Sequence, residues 1–270
     1  MFPYPLNYFA SLFGSKRVFA NRHLLTWFQL VFTSIFLISI SLIPMSIQTI
    51  SLSTYPLEIL IDKVFEPIDK EVMEDFSNHV TIKDSQLVNK ADTKIHHNTA
   101  GDVIIGHQDQ AKLGKNLTLY FDKYELVISK EKKELAAINY RFLTEDSLTS
   151  KEQLTLDIST SWFQQNRFII SLFLILSSAI LLGINFIFLS LGASLLLYFT
   201  KKSKLFSFKT FKECYNFILN CLGIPILAGL IIGLLGQPLP TVITTQNILF
   251  VLYLVIIFYK THFRDADYGK

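Results

Sequence analysis

Charged side chains are scarce in this sequence. Of its 270 residues, 17% are Asp, Glu, Lys or Arg and 50% are hydrophobic, whereas a soluble domain carries about 25% charged residues. This balance excludes extended disorder and argues against a plain water-soluble globule. The apolar residues are also unevenly spread along the chain, and their distribution decides the class of protein.

Cysteine is almost absent as well. The two cysteines, Cys214 and Cys221, lie seven positions apart, and residues 50–166 contain none. A disulfide framework, which is common in small secreted domains, is therefore excluded for that segment, and its absence suits the surface of a Gram-positive cell. We expect both cysteines to be buried structural thiols, with lipidation of Cys214 as the alternative.

Recognisable catalytic, metal and nucleotide motifs are missing. The sequence has no His-Glu-x-x-His, no Gly-x-Ser-x-Gly and no Walker loop, and no nucleic-acid signature. Asp102 lies among four histidines, His79, His96, His97 and His107. Their spacing matches no common zinc pattern, so we expect a solvated loop rather than a metal site. The sequence predicts no catalytic residue, no metal site, no cofactor and no nucleic-acid partner.

Three long stretches, 24–57, 168–200 and 214–259, contain no Asp, Glu, Lys, Arg or His. About 20 apolar residues cross the hydrocarbon layer as a helix, and turn-forming residues at 236–240 divide the third stretch in two. The pattern predicts an α-helical polytopic membrane protein with four transmembrane helices. The first stretch is longer than the apolar region of a secretory signal and no small-residue cleavage site follows it, which favours an uncleaved anchor over a signal peptide.

Basic residues are concentrated in three short segments outside these stretches. Residues 1–23, 201–213 and 260–270 together hold 11 basic and 3 acidic residues, whereas 58–167 holds 14 basic and 19 acidic ones. The positive-inside rule places the basic segments, and hence both termini, in the cytoplasm. The predicted order is a cytoplasmic, interfacial segment at 1–23, a first span at 24–49, an extracytoplasmic domain at 50–166, a second span at 167–200, a basic cytoplasmic loop at 201–213, a third span at 214–235, an outer hairpin at 236–241, a fourth span at 242–259 and a cytoplasmic tail at 260–270.

The extracytoplasmic segment has the pattern of a small α+β domain. Apolar residues recur every three or four positions over 57–76, which predicts an amphipathic helix with a kink or break at Pro67. Short alternating or apolar runs then predict strands of an antiparallel sheet; these runs lie at 80–82, 102–105, 117–121, 124–128 and 153–158. Residues 135–143 fit either another strand or a short helix.

Four residues of the third span are candidates for helix packing. Gly229 and Gly233 form a Gly-x-x-x-Gly that permits close approach of another helix, and we expect that helix to belong to the same chain. Asn216 and Asn220 lie four positions apart on one face, where interhelical hydrogen bonding is the expected role and a polar ligand path the alternative. Apart from Arg167 at the edge of the second span, no Asp, Glu, Lys, Arg or His lies in any span, which argues against a proton-coupled carrier or an intramembrane protease.

Three segments together resemble a known family. They are NYFASLFGSKRVFANRHLLTWFQLVF at 7–32, VTIKDSQLVNK at 80–90 and FKECYNFILNCLGIPILAGLIIGLLG at 211–236. They are similar to a family of Gram-positive bacterial membrane proteins, some of whose members are labelled maltodextrin utilisation proteins because they are encoded with a maltodextrin uptake system. The resemblance implies a role beside a sugar importer in the cytoplasmic membrane, and it supplies no catalytic residues.

The first hypothesis is therefore a non-enzymatic accessory or regulatory membrane protein, with membrane lipid and a sugar-importer subunit as its expected partners. The alternative is a sensor or binding module whose outer domain recognises an oligosaccharide or an envelope component. A transporter component lined by polar amides and an enzyme with an outer site are weaker hypotheses, because neither has a supporting motif.

Overall fold

The computed structural model describes residues 3–90, 93–106, 115–203 and 206–265. The chain is mostly helical and divides into two compact units. The helical unit comprises Met1–Ser51 and Ser171–Lys270, and the α+β unit comprises Leu52–Ile170. Each unit has its own apolar core.

Four long helices carry the apolar stretches: α3 (Trp27–Ile50), α6 (Arg167–Phe199), α7 (Phe211–Leu234) and α8 (Leu239–Thr261). All four are long and apolar enough to cross a membrane, by length and composition. Thr26 and Gln29 form a capping box that begins α3, and the Thr210 side chain accepts a hydrogen bond from the Glu213 amide at the start of α7. Between α7 and α8 the chain turns at Gly236, whose φ of 84° suits glycine.

The N-terminal residues form two short helices, α1 (Leu6–Leu12) and α2 (Ser15–Ala20), followed by a 3-10 turn at Asn21–His23. Their apolar side chains are buried in the core of the helical unit, including Tyr8, Leu12, Val18 and Phe19. The Tyr8 hydroxyl donates to the Leu219 carbonyl over 3.0 Å, and the Tyr253 hydroxyl donates to the Leu12 carbonyl over 2.7 Å. The first residues thus pack against α7 and α8, which the sequence pattern did not predict.

The α+β unit begins with a 3-10 turn at Leu57–Ile59 and the helix α4 (Lys70–His79). The predicted break at Pro67 is present, since the regular helix begins three residues after it and is capped by Asp69. A two-stranded antiparallel sheet follows, made of β1 (Val80–Lys83) and β2 (Gln86–Asn89). The main sheet has the order β3-β4-β5-β6-β7; its strands are Lys94–Asn98, Gly101–Ile105, Thr118–Phe121, Glu125–Lys130 and Lys133–Asn139.

Two details of the predicted sheet are wrong. The sheet is mixed rather than antiparallel, because β4 and β5 run parallel with Asp102 opposite Thr118. Residues 106–117 lie between them and are long enough for the crossover that parallel strands need. The second error concerns 153–158, which belongs to a helix.

That helix is α5 (Lys151–Gln165), preceded by a 3-10 turn at Glu145–Leu148. The alternation of apolar residues over 153–158 suggested a strand, but Leu156 in that alternation is 48% exposed. The residues that are buried are Leu154, Ile158 and Trp162, at the four-residue spacing of a helix face. The segment 135–143 was predicted to be either a strand or a short helix; its first part, 135–139, belongs to strand β7.

Candidate functional site

A cleft of about 690 Å³ in the α+β unit lies between α4 and the start of α5. We call it the α4–α5 groove. One wall is the exposed face of α4, which presents Lys70, Glu74 and Asn78. The opposite wall presents Thr149, Lys151 and Glu152, and the floor includes Ile68 and Met73. Its volume lies within the range of small-molecule sites.

The two walls of the groove are held together by hydrogen bonds at either end. The Lys151 ammonium donates to the Ile68 carbonyl over 2.5 Å, and the Ser77 hydroxyl donates to the Leu148 carbonyl over 3.1 Å. Asp69 caps α4 by accepting from the Val72 amide over 3.0 Å. This backbone hydrogen bond is the main reason that the pKa of the Asp69 carboxyl lies below its ordinary value.

Other polar side chains of the groove remain available. Within the described residues, the side chains of Lys70, Glu74, Asn78 and Glu152 are all exposed and form no hydrogen bond or ion pair. Lys70, Glu74 and Asn78 are four positions apart, so they share one face of α4. The groove therefore has walls joined by hydrogen bonds and, along them, side-chain donors and acceptors that are free to bind a ligand.

The histidines are distributed over two carboxylates. His96 Nε2 lies 2.6 Å from Asp75 Oδ2, and His97 Nδ1 lies 2.7 Å from Asp102 Oδ1. His79 Nδ1 is 3.5 Å from Asp75 Oδ1. In the described part of the chain, no group of three or more His, Cys, Asp or Glu is arranged to hold a metal ion; His107 lies outside it.

Asp75 ties α4 to the edge strand β3. Lys94 also contacts its carboxylate, beside the contact from His96. Partial burial opposes the charged form of Asp75, but hydrogen bonds from Lys94 and His96 outweigh it and hold the pKa of this carboxyl below its ordinary value. The expected solvated loop is wrong for three of the histidines, because His79 ends α4 and both His96 and His97 lie in β3. His79 and His96 contact Asp75, whereas His97 contacts Asp102.

The glycines of the third long helix contact other helices of the same unit. A Cβ on Gly229 would lie 2.3 Å from the Gln246 side-chain nitrogen, and one on Gly233 would lie 2.6 Å from Cβ of Pro44. The two positions therefore allow α8 and α3, respectively, to approach α7. Gln246 in turn donates to the Ser41 hydroxyl over 3.2 Å.

The two asparagines of α7 are buried and face the N-terminal segment. Asn220 donates to the Val18 carbonyl over 3.3 Å, and Asn216 donates to the Asn21 carbonyl over 3.5 Å. A separate pair, Asn185 of α6 and Asn247 of α8, exchanges two amide hydrogen bonds of 3.2 and 3.1 Å. The sequence analysis expected Asn216 and Asn220 to bond between helices, and the carbonyls that they contact belong to the N-terminal segment. Cys214 and Cys221 are buried free thiols.

Sequence reasoning missed two features. The α4–α5 groove joins residues about 75 positions apart, and no local pattern marks it. Arg22 is buried, with its guanidinium carbon 4.2 Å from the Phe19 ring centroid and Nη2 2.6 Å from Asp265 Oδ1. In sequence it is simply one of several basic residues before the first long helix.

Comparison with known proteins identifies a relative that aligns over the full length of the chain. No protein-family model matches the chain, and no solved structure matches it. The chain is 56% identical over 270 residues to the maltodextrose utilization protein MalA of Streptococcus pneumoniae, and the alignment covers 100% of both proteins. The resemblance to a Gram-positive family is confirmed, and this chain belongs to the same family as MalA.

Proposed function

We propose that the chain is a non-enzymatic accessory or regulatory membrane protein that acts in the use of maltodextrins. The observation that carries the proposal is the 56% identity, over the full length of both chains, to a protein named for maltodextrose utilization. The lack of Asp, Glu, Lys, Arg and His in the three long apolar stretches supports an accessory role over ion-coupled transport.

The proposed location is the cytoplasmic membrane, with both termini inside and the α+β unit outside. The outward faces of the long helices support it, since Phe188 and Leu196 of α6 are 78% and 71% exposed, as lipid-facing side chains would be. The excess of basic residues in 1–23, 201–213 and 260–270 supports the orientation.

Cysteine labelling tests the orientation, because both native cysteines are buried. Glu134→Cys on β7 and Lys201→Cys after α6 each introduce one exposed thiol. A membrane-impermeant maleimide should label Glu134→Cys on intact cells and Lys201→Cys only after permeabilisation. The opposite pattern would invert the proposed topology.

The proposed partner is a subunit of a sugar importer. Crosslinking in native membranes, affinity purification of the tagged chain and mass spectrometry should enrich importer subunits. An equally abundant, tagged membrane protein of unrelated sequence is the control. Recovery of the chain alone would contradict the accessory role, and hydrolysis of maltoheptaose by the purified chain would contradict the non-enzymatic one.

The α4–α5 groove favours a second candidate function. A sensor module needs a preformed site outside the membrane, and the groove is a cleft of suitable volume with unoccupied polar side chains. In that role the α+β unit recognises an oligosaccharide or an envelope component. Saturable binding of such a ligand by the full chain in lipid nanodiscs is the test.

A further inference from the structure

We infer that the α4–α5 groove binds a linear, uncharged oligosaccharide of the maltodextrin class, with Glu74 and Asn78 on one wall and Glu152 on the other as its hydrogen-bonding groups. The inference rests on the second candidate function, whose ligand and site it specifies. It follows from the charge balance, the free polar groups and the shape of the groove.

The charges of the groove favour a neutral ligand. Three carboxylates, Asp69, Glu74 and Glu152, are offset by two ammonium groups, Lys70 and Lys151, so the lining carries a net charge of −1. A polyanion would meet the carboxylates and a polycation the ammonium groups, and each would leave charges unpaired. A sugar hydroxyl both donates and accepts, so it can satisfy either kind of group.

The free groups lie where such a ligand needs them. Glu74 and Glu152 accept hydrogen bonds from opposite walls, the Asn78 amide donates and accepts, and Lys70 donates. None of these four has a partner within the described residues. The bonds from Lys151 to Ile68 and from Ser77 to Leu148 already hold the walls in place, which lowers the ordering cost of binding.

The groove is also extended. A second cleft of about 210 Å³ adjoins it and shares Ser77 and Thr149 in its lining, continuing along Thr81 and Glu145. A linear chain of several sugar units suits such a shape better than a single monosaccharide does. The described lining of the two clefts contains no aromatic ring, so hydrogen bonds rather than ring stacking must provide specificity.

Calorimetric titration of maltoheptaose into the full chain in nanodiscs tests the inference. We expect saturable binding that Glu74→Gln, Asn78→Ala and Glu152→Gln each weaken by roughly three- to tenfold, since each removes a hydrogen-bonding partner or its charge. Glu134→Gln is the matched control. It makes the same chemical change at an exposed position on β7, outside both clefts, and should leave the affinity unchanged.

Three outcomes would overturn the inference: no heat of binding with the wild-type chain, equal binding by the three groove variants, or binding of a charged peptidoglycan fragment in place of maltoheptaose. All three changes are at exposed positions, and an unchanged melting temperature shows that each variant is folded. The accessory role is judged separately by crosslinking. Importer subunits recovered by a chain that binds no maltoheptaose would refute the sugar site alone.

Discussion

Replacing Gly233 with alanine should push α3 and α7 apart. An added Cβ would lie 2.6 Å from Cβ and 2.7 Å from Cγ of Pro44, and 3.4 Å from Cγ2 of Val242. The proline ring cannot rotate away, because it is closed onto the backbone of α3. Relief of the overlap therefore requires a shift of one helix by roughly an ångström, given ordinary contacts of 3.5–4.0 Å between carbon atoms.

Gly192→Ala provides the matched control. Gly192 lies on α6 with no atom within 4 Å of an added Cβ, so the same change there alters helix propensity without a clash. Overpacking costs about 1–3 kcal/mol, and the propensity gain of roughly 1 kcal/mol for Gly to Ala is common to both variants. The difference between the two should therefore be about 1–3 kcal/mol, with Gly233→Ala the less stable.

Thiol reactivity offers a direct assay. Cys214 and Cys221 are both buried within the helical unit, so a fluorogenic maleimide reacts with them only as that unit unfolds. During a thermal ramp in detergent, Gly233→Ala should melt about 2–12 °C below Gly192→Ala. Equal melting temperatures, or a higher one for Gly233→Ala, would refute close packing of α3 on α7 at this position.

Three further predictions concern polar contacts. Asn185→Leu and Asn247→Leu should each destabilise the helical unit. A double-mutant cycle of the two should give a coupling energy of about 0.6 kcal/mol, and additive effects would show that the two amides do not pair. Because the pKa of the Asp75 carboxyl is depressed in the folded protein, its contribution is present above its unfolded pKa and lost as pH falls through the folded value. The free energy of unfolding, followed by near-ultraviolet circular dichroism at successive pH values, should therefore fall less between about pH 7 and about pH 3 in Asp75→Asn than in wild type. Equal losses in the two proteins would contradict the role of Asp75 in holding α4 to β3. Arg22→Ala should destabilise the packing of the N-terminal segment by about 1–3 kcal/mol and speed labelling of Cys214, whereas Arg17→Ala, at an exposed position, should not.

Some of the fold could be predicted from local sequence because its cause is local. Stretches without ionisable residues predicted four long apolar helices, and Pro67 marked where the amphipathic pattern breaks. The strands at β1, β4, β5 and β6 lie where short apolar runs indicated strands. In each case the solvent preference or backbone restriction of neighbouring residues is sufficient.

Other elements depended on partners distant in sequence. The run 153–158 alternates like a strand, yet it belongs to α5. As a helix it places Leu154, Ile158 and Trp162 on one face, and all three are buried in the apolar core of the α+β unit. Pattern alone cannot supply that core. The parallel pairing of β4 with β5 likewise depends on which strands lie side by side in the folded sheet, and the pattern of residues within either strand does not indicate it.

The sequence alone determined where the long apolar stretches lie and how charge is distributed between them, and it carries the resemblance to the family. Tertiary structure alone decided which polar groups meet. It paired Asn220 with the Val18 carbonyl, joined Arg22 to Asp265, and brought Glu152 across from Glu74 to form the α4–α5 groove. The physical reason is that hydropathy is a property of each segment by itself, whereas a hydrogen bond or a cleft depends on two segments that only the folded chain brings together.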